Sequence, residues 1–236
     1  RTLDIGGDKK PGFIDIPHEQ NPYLGLRSLR YSLSRPAVFK AQLRALASVS
    51  CDFAIDVMFP MVGTVEELDS ALAVLREAAS EIEAERGRPT FIRAGIMAEV
   101  PSACLLAGVL AERCSFISIG TNDLVQYTMA ADRGNPAVAG VYQQLNPAVL
   151  RLVRMCAEAC AAKGIELSVC GELAGTPEGS VILAGLGAAK LSMAAASLGP
   201  VAKALSAKES GKLREAAGRA LRSGTQAEVE HIISNI

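Results

Sequence analysis

Short apolar segments of β type alternate with helical segments along this chain, and this alternation limits the possible folds more than any other feature of the sequence. The β-type segments run over residues 55–61, 93–99, 116–122, 165–171 and 191–194. Strands that alternate with helices of this length indicate βαβ units and a parallel sheet. The sequence therefore predicts an α/β fold.

The helical segments carry clear end signals. Thr64 is followed three residues later by Glu67, which is the pattern of a capping box, and that helix should end near Arg86, before Gly87. A second helix is expected over residues 147–163, with proline in its first turn and glycine after its end. Residues 102–113, 177–185 and the tail 200–236 are also predicted to be helical.

The number of strands suggests an incomplete barrel. Residues 1–5 resemble part of a strand, and counting them gives six strands, whereas a (β/α)₈ barrel has eight. Because the chain starts in the middle of a strand pattern, we expect a TIM barrel truncated at its N-terminus, with its first strands missing. We interpret residues 1–236 as one partial domain.

Composition excludes several classes of partner. The chain has 24 basic and 25 acidic side chains and a net charge of −1, which gives no reason to expect nucleic acid or an anionic membrane as a partner. Its apolar stretches are shorter than the roughly 20 residues that span a bilayer. Six scattered cysteines without CxxC spacing indicate reduced thiols in a cytoplasmic protein.

Polar residues recur at the C-terminal ends of the predicted strands. Glu99, Asn122 with Asp123, and Cys170 all lie at or just after such an end. Parallel barrels and open α/β sheets build their sites at this edge. Glu99 and Asp123 are hard oxygen ligands that suit Mg²⁺. From the residues alone, solvated loop acids explain these two carboxylates better than a metal site does.

Three arginines, Arg1, Arg27 and Arg133, are predicted to lie at strand ends or in loops. Guanidinium groups bind phosphoryl and carboxylate groups through paired hydrogen bonds, so arginines from different loops suit a substrate that carries both. Lys9, after a glycine pair, would add a charge near a phosphate. The alternative is that these arginines are ordinary surface residues.

Cys170 ends the apolar segment that begins at residue 165. A cysteine thiol has an ordinary pKa near 8.5 and is mostly protonated at neutral pH, which suits a proton donor. A nucleophilic thiol needs a base, and the two histidines of the chain, His18 and His231, are not suggestively placed. Cys170 is therefore expected to act as an acid–base residue. A buried strand end is the alternative.

Seven motifs resemble one protein family, in family order across nearly the whole chain. They are RTLDIGGDK at 1–9, NPYLGLR at 21–27, MFPM at 58–61, GIMAE at 95–99, SIGTNDL at 118–124, DRGN at 132–135 and CGELAG at 170–175. The sequence resembles the C-terminal, phosphoenolpyruvate-binding domain of enzyme I of the bacterial sugar phosphotransferase system. The family's enzymes are phosphoenolpyruvate–protein phosphotransferases.

The resemblance implies a (β/α)₈ barrel that binds phosphoenolpyruvate and Mg²⁺ at its C-terminal face. It also implies roles for individual residues. Glu99 and Asp123 match the metal ligands, Arg1, Arg27 and Arg133 match arginines that hold the phosphoryl group, Asn122 and Asp123 match the substrate-binding pair, and Cys170 matches the residue that protonates the enolate carbon to give pyruvate.

In the family, the phosphoryl group passes to a histidine on a separate domain and then to a phosphocarrier protein in sugar uptake. The resemblance implies a cytoplasmic transferase that forms a homodimer through the barrel. The Thr-Ser-His phosphorylation segment and the first two barrel strands are absent from this sequence, so we expect this chain alone to be inactive in carrier phosphorylation. Milder departures are Ala98 and Val100 around Glu99, Val169 before the cysteine, and the altered loop 143–146.

Two alternatives remain open. Pyruvate phosphate dikinase and phosphoenolpyruvate synthase share the barrel and its strand-end site, although the Gly-Glu-Leu-Ala-Gly that follows Cys170 favours enzyme I. A module that only dimerises or senses phosphoenolpyruvate, without turnover, is the other alternative. A chain that lacks the acceptor histidine fits that description as well.

Overall fold

The computed structural model describes residues 1–7, 9, 12 and 18–236. The polypeptide forms two compact units, of which the first comprises residues 1–97 and 113–115, and the second residues 98–112 and 116–236. Five strands lie in the described residues, β1 (Ile55–Phe59), β2 (Ile92–Ala98), β3 (Phe116–Gly120), β4 (Glu166–Cys170) and β5 (Lys190–Ser192). In the first unit β1 pairs in parallel with β2, and in the second β4 pairs in parallel with both β3 and β5.

Helices account for most of the remaining described chain. The α-helices are α1 (Ser28–Ser34), α2 (Pro36–Ser50), α3 (Val65–Arg86), α4 (Pro101–Leu105), α5 (Ala107–Leu110), α6 (Thr121–Met129), α7 (Pro147–Lys163), α8 (Pro177–Leu186), α9 (Ala195–Ser206), α10 (Ser210–Ala220) and α11 (Gln226–Ser234). Short 3₁₀ helices lie at Pro22–Leu24, Pro136–Val138 and Leu173–Gly175. Within the described residues, no helix is both long enough and apolar enough to cross a membrane.

The ends of α3 and α7 are as predicted. The backbone N–H of Glu67 donates to Thr64 Oγ1 at 3.2 Å, and the Glu67 carboxylate accepts from the Thr64 N–H at 3.2 Å, which completes the capping box. Gly87 and Gly164 then end the two helices with φ values of 65° and 66°. Glycine adopts these positive φ values without the steric cost that a side chain imposes.

Residues 1–5 do not form the predicted sixth strand. The N–H of Thr2 donates to the Met58 carbonyl of β1 at 3.0 Å, as a strand residue would. The N–H of Leu3, however, donates to the side chain of Gln42 at 3.1 Å. A ladder needs repeated backbone pairing, and one bond from Thr2 to β1 does not make a strand.

Two helix predictions were wrong in detail. The helix expected over residues 102–113 is broken into α4 and α5 at Leu106, whose φ of −94° and ψ of 8° interrupt the helical backbone. The tail becomes helical at Ala195 rather than at residue 200, so that Pro200 lies inside α9. Proline removes one N–H donor from a helix interior.

Each unit has its own apolar core. In the first, Phe39 of α2 meets Phe59 of β1 edge to face, with ring centroids 6.1 Å apart. In the second, Leu167 and Val169 of β4 are buried, while Ser168 and Cys170 lie on the other face of the strand and are partly exposed. Successive strand residues point to opposite faces. The thiol of Cys170 therefore projects from the face opposite to the Leu167–Val169 core.

Candidate active site

The thiol of Cys170 lies at the C-terminal end of β4, in the second unit. The parallel register places Cys170 beside Gly120, the last residue of β3. The thiol donates to the Ile119 carbonyl, with Sγ 3.4 Å from the oxygen, and Ser118 Oγ contacts Sγ at 3.9 Å. Both partners belong to β3, so the pairing of two strands fixes the position of the sulfur.

The turn after the thiol is held by the first turn of α6. Thr121 Oγ1 donates to the Cys170 carbonyl at 3.0 Å, and the Glu172 N–H donates to Asn122 Oδ1 at 3.0 Å. Between these two bonds lies Gly171 with a φ of 108°. A Cβ on Gly171 would lie 2.2 Å from Thr121 Oγ1 and 3.0 Å from Asn122 Oδ1. The turn therefore requires glycine for both its backbone and its surroundings.

A cleft of about 500 Å³ opens beside the thiol. It is lined by Asn122, Cys170, Gly171, Glu172, Gly175, Thr176, Ser192, Met193, Ala194 and Ser197. The cleft thus joins the C-terminal ends of β4 and β5 to the start of α6. Its volume is in the range of pockets that bind small molecules. A small substrate in this cleft would lie next to the sulfur of Cys170.

Tyr142 belongs to this site, although the sequence did not single it out. Its hydroxyl donates to the Asn122 carbonyl at 3.0 Å. Burial and the nearby carboxylate of Glu172 raise the pKa of Tyr142 to about 12, against the opposing charge of Arg133. The phenol therefore keeps its proton at neutral pH and remains a donor. Its signal in the sequence was that it is the sole aromatic residue between positions 131 and 146.

The segment that carries Arg133 is fixed by side chains of neighbouring elements. The buried Gln126 of α6 accepts from the Arg133 N–H at 3.1 Å. Further along the same loop, Gln144 Nε2 donates to Glu172 Oε2 at 3.4 Å. The loop with the predicted Arg133 is therefore bound to α6, whose first turn holds the Cys170 turn. The altered loop 143–146 is bound to Glu172 of the Cys170 turn itself, and both contacts lie within the second unit.

The two candidate metal ligands are buried carboxylates of the second unit. Glu99 is 4% exposed and directly precedes α4, while Asp123 is 7% exposed and lies in the first turn of α6. Helix α4 packs against α6. In the described part of the chain, no three or more His, Cys, Asp or Glu side chains are grouped to hold a metal. Two carboxylates fit Mg²⁺, which keeps water and substrate oxygens, and do not fit a structural zinc site with four protein ligands.

The first unit brings together two of the predicted arginines and Lys9. All three contact the carboxylate of Asp4, which is reached by Lys9 Nζ at 2.6 Å, Arg1 Nη2 at 3.1 Å and Arg27 Nη2 at 3.8 Å. Arg27 is 1% exposed, so it is a buried residue rather than a surface arginine. Its guanidinium also lies over the ring of Tyr23, 5.7 Å from the centroid. Arg133, the third arginine, belongs to the second unit.

The carboxylate of Asp4 is held in its ionised form. Burial favours the protonated acid, but hydrogen bonds from Lys9 and Ser28, together with the charges of Lys9 and Arg1, outweigh it and hold the pKa of Asp4 below its ordinary value. Sequence reasoning missed Asp4 as part of the site. The residue lies within the first motif, and its position three residues after Arg1 was the available signal.

Parallel strands whose C-terminal ends carry a thiol, buried carboxylates and an amide place this chain among the α/β domains of TIM-barrel type. The fold is similar to that of a solved citrate lyase from Burkholderia xenovorans, with a TM-score of 0.54 over 84% of this chain and 67% of that one. The sequences are 16% identical, so this likeness concerns the fold alone. The predicted α/β fold of TIM-barrel type is confirmed, while the truncation of its first strands stays a prediction.

The sequence pattern of one family, described as "PEP-utilising enzyme, PEP-binding domain", matches residues 1–210, and the chain belongs to this family. PEP stands for phosphoenolpyruvate. The chain is similar to the phosphoenolpyruvate-protein phosphotransferase of Staphylococcus carnosus, 42% identical over 99% of this chain, and to that of Mycoplasma pneumoniae, 45% identical over 84%. It spans 41% and 34% of the length of these relatives. The family predicted from the seven motifs is confirmed, while the roles of single residues stay predictions.

Proposed function

We propose that this chain is the catalytic domain in which a phosphoenolpyruvate–protein phosphotransferase binds phosphoenolpyruvate and releases pyruvate. The placement of Cys170 carries the proposal, because its thiol lies at a strand end beside a cleft that has room for a three-carbon acid. In the whole protein, the phosphoryl group would pass to a histidine of a separate domain and then to a phosphocarrier protein. Membership of the phosphoenolpyruvate-binding family supports this assignment.

Protonation of carbon is the step assigned to Cys170. When the phosphoryl group leaves phosphoenolpyruvate, the bond between phosphorus and the enol oxygen breaks and an enolate remains. The S–H bond of Cys170 then breaks, a C–H bond forms at the enolate carbon, and pyruvate is released. The thiolate left behind takes a proton from water before the next turnover. Ser118 contacts the sulfur at 3.9 Å and would donate to the thiolate.

Cationic side chains are assigned to the phosphoryl group. Phosphoryl transfer depends mainly on positioning and on charge stabilisation. Arg1, Lys9 and Arg27 meet at one carboxylate in the first unit, and Arg133 lies in a fixed loop of the second. Guanidinium groups bind phosphoryl oxygens through paired hydrogen bonds. Each of these side chains is assigned the role of balancing charge on the transferred group, as the family resemblance implies for the three arginines.

Glu99 and Asp123 would hold Mg²⁺. Both are nearly buried carboxylates of the second unit, and carboxylate oxygens are the ligands that Mg²⁺ prefers. A bound Mg²⁺ supplies positive charge to the phosphoryl oxygens.

We further propose that the protein is cytoplasmic and acts as a homodimer, in agreement with the family resemblance of its sequence motifs.

The test of the proton-donor role is the substitution Cys170→Ala in the full-length parent enzyme. Binding of phosphoenolpyruvate should be nearly unchanged, whereas pyruvate formation should fall by about 10²–10⁴-fold, the usual contribution of a general acid. Cys114→Ala, at a partly buried thiol, is the matched control. Unchanged pyruvate formation in Cys170→Ala would remove the role assigned to this residue.

A second experiment tests the class of enzyme. Incubation of the full-length parent with labelled phosphoenolpyruvate and a phosphocarrier protein should label the carrier without nucleotide. Labelling that requires nucleotide would favour a dikinase or synthase.

The test of the metal assignment is calorimetry of phosphoenolpyruvate binding with and without Mg²⁺. We expect Mg²⁺ to tighten binding in the unsubstituted chain and Glu99→Ala to abolish that effect. Glu112→Ala is the control, because its exposed carboxylate pairs with Lys163 at 2.7 Å. Equal affinity with and without the ion in the unsubstituted chain would contradict the assignment of Glu99 and Asp123.

A further inference from the structure

Two segments of the first unit cross closely where Asp4 meets Ser28. The Ser28 N–H donates to the Ile5 carbonyl at 2.8 Å, and the Ser28 hydroxyl donates to the Asp4 carboxylate. The next residue, Gly6, has a φ of 97°, and a Cβ there would lie 2.5 Å from Arg27 Cβ. The backbone of residues 4–6 is thus pressed against residues 27 and 28. The position of Asp4 is tied to the position of the neighbouring Arg27.

Ser28 adopts an unfavourable backbone conformation at this crossing. Its φ is 51°, although it is fully buried and carries a side chain. Residues other than glycine rarely take positive φ, and such strain persists where surrounding contacts over-determine it. Here the contacts are the bonds from Ser28 to Ile5 and Asp4. Asp4 therefore helps to hold the start of α1, where Arg27 is the N-cap residue.

The charges at this crossing are arranged around Asp4. Arg1, Lys9 and Arg27 reach its carboxylate from three chain positions, and the Asp4 side chain is 8% exposed. Three cations repel one another, and a buried carboxylate between them offsets that repulsion. One carboxylate against three cations leaves two positive charges in excess. That excess matches the charge of a phosphoryl dianion.

We infer that Asp4 is a positioning residue that gathers Arg1, Lys9 and Arg27 into one binding site for the phosphoryl group. The inference rests on the proposed function for its ligand, and on the contacts of the first unit for its geometry. Asp4 does not touch the substrate in this role. It fixes the three cations before the substrate arrives, so the substrate does not have to order three long side chains.

The experiment compares Asp4→Asn with the unsubstituted chain. Asparagine keeps the shape and an oxygen acceptor for Ser28 but loses the charge. We expect the dissociation constant for phosphoenolpyruvate, measured by calorimetry at fixed Mg²⁺, to rise about 10- to 100-fold, the range for loss of charge-assisted bonds. Asp52→Asn is the control, because its exposed carboxylate pairs with Arg88 at 2.7 Å, and it should leave the constant unchanged.

A spectroscopic readout separates positioning from folding. In the ligand-free chain, the guanidinium Nε–Hε resonances of Arg1 and Arg27 should shift in Asp4→Asn, while that of Arg88 should not. Thermal unfolding of each variant reports whether the fold is kept. A dissociation constant that stays equal or falls in Asp4→Asn, with unshifted Arg1 and Arg27 resonances, would overturn the inference.

The two proposals fail differently. If the unsubstituted chain does not bind phosphoenolpyruvate, the proposed function fails, and the resonances of Arg1 and Arg27 still decide whether Asp4 gathers them. If Asp4→Asn does not fold, Ser28→Ala replaces it, because that variant keeps the Asp4 charge and removes one bond to it. We then expect a shifted Arg27 resonance and a rise of about threefold in the dissociation constant. No change in either quantity would count against the role of Asp4.

Discussion

Gly171 is the position where a single methyl group tests the geometry of the candidate site most directly. In Gly171→Ala the new Cβ would lie 2.2 Å from Thr121 Oγ1 and 3.0 Å from Asn122 Oδ1. Thr121 must rotate or move away, and it would then lose its bond to the Cys170 carbonyl. The substitution therefore disturbs the turn that holds the thiol without touching the thiol itself.

The size of the effect follows from two contributions. A side chain at a φ of 108° costs about 1–2 kcal/mol in backbone strain. Loss of the bond between Thr121 and Cys170 costs about 1 kcal/mol more. We expect the free energy of unfolding to fall by roughly 2–3 kcal/mol, which lowers Tm by roughly 4–12 °C for a chain of this length. Phosphoenolpyruvate binding should weaken in the same variant.

Two other glycines separate the causes. Gly87 also has a positive φ, 65°, but nothing lies within 4 Å of an added Cβ, so Gly87→Ala measures the backbone strain alone. Gly108 has neither a positive φ nor a neighbour within 4 Å, and Gly108→Ala should be neutral or stabilising by up to about 1 kcal/mol. Urea unfolding of the three variants gives the comparison. If Gly171→Ala costs no more than Gly87→Ala, crowding by Thr121 and Asn122 does not constrain the turn.

Three further predictions concern single contacts. Tyr142→Phe removes the bond to the Asn122 carbonyl, and urea unfolding should show that the free energy of unfolding falls by about 1 kcal/mol. The affinity for phosphoenolpyruvate should become several-fold weaker. An unchanged affinity would exclude Tyr142 from the site. The pKa of Asp4 is lower in the folded chain than in the unfolded chain, so its contribution to stability is complete above about pH 4 and is lost as the pH falls through the folded-state value. The unsubstituted chain should therefore lose more stability on acidification than Asp4→Asn does. Parallel pH profiles of stability for the two chains would contradict this. Thr64→Ala should lower the free energy of unfolding by about 1 kcal/mol through loss of the capping box with Glu67, which thermal unfolding measures.

The features that sequence reasoning predicted well depend on local chemistry. The start of α3 follows from Thr64 and Glu67, which are three residues apart, and the ends of α3 and α7 follow from single glycines. The thiol at the end of β4 was also predicted, because an apolar segment ends there and the motif around it is specific. Each of these features is decided within a few residues of the chain.

The features that were missed depend on partners far apart in the sequence. Residues 1–5 do not become a strand, and their backbone groups instead bond to distant partners: the N–H of Leu3 donates to the side chain of Gln42, and the Ile5 carbonyl accepts from the N–H of Ser28. The site residue Tyr142 is defined by Asn122, twenty positions earlier. Asp4 is defined by Ser28, 24 positions later, and by the cations around it. No local pattern specifies which distant group a polar side chain will meet.

The alternation along β4 limits how this strand can change in length. Leu167 and Val169 fill the core, and Ser168 and Cys170 occupy the opposite face. Inserting or deleting one residue before Cys170 would turn the sulfur toward the core and expose the apolar side chains. Length changes in this strand are therefore tolerable only in steps of two residues. In related proteins whose thiol has the same role, the length of this strand should be the same or should differ by an even number of residues.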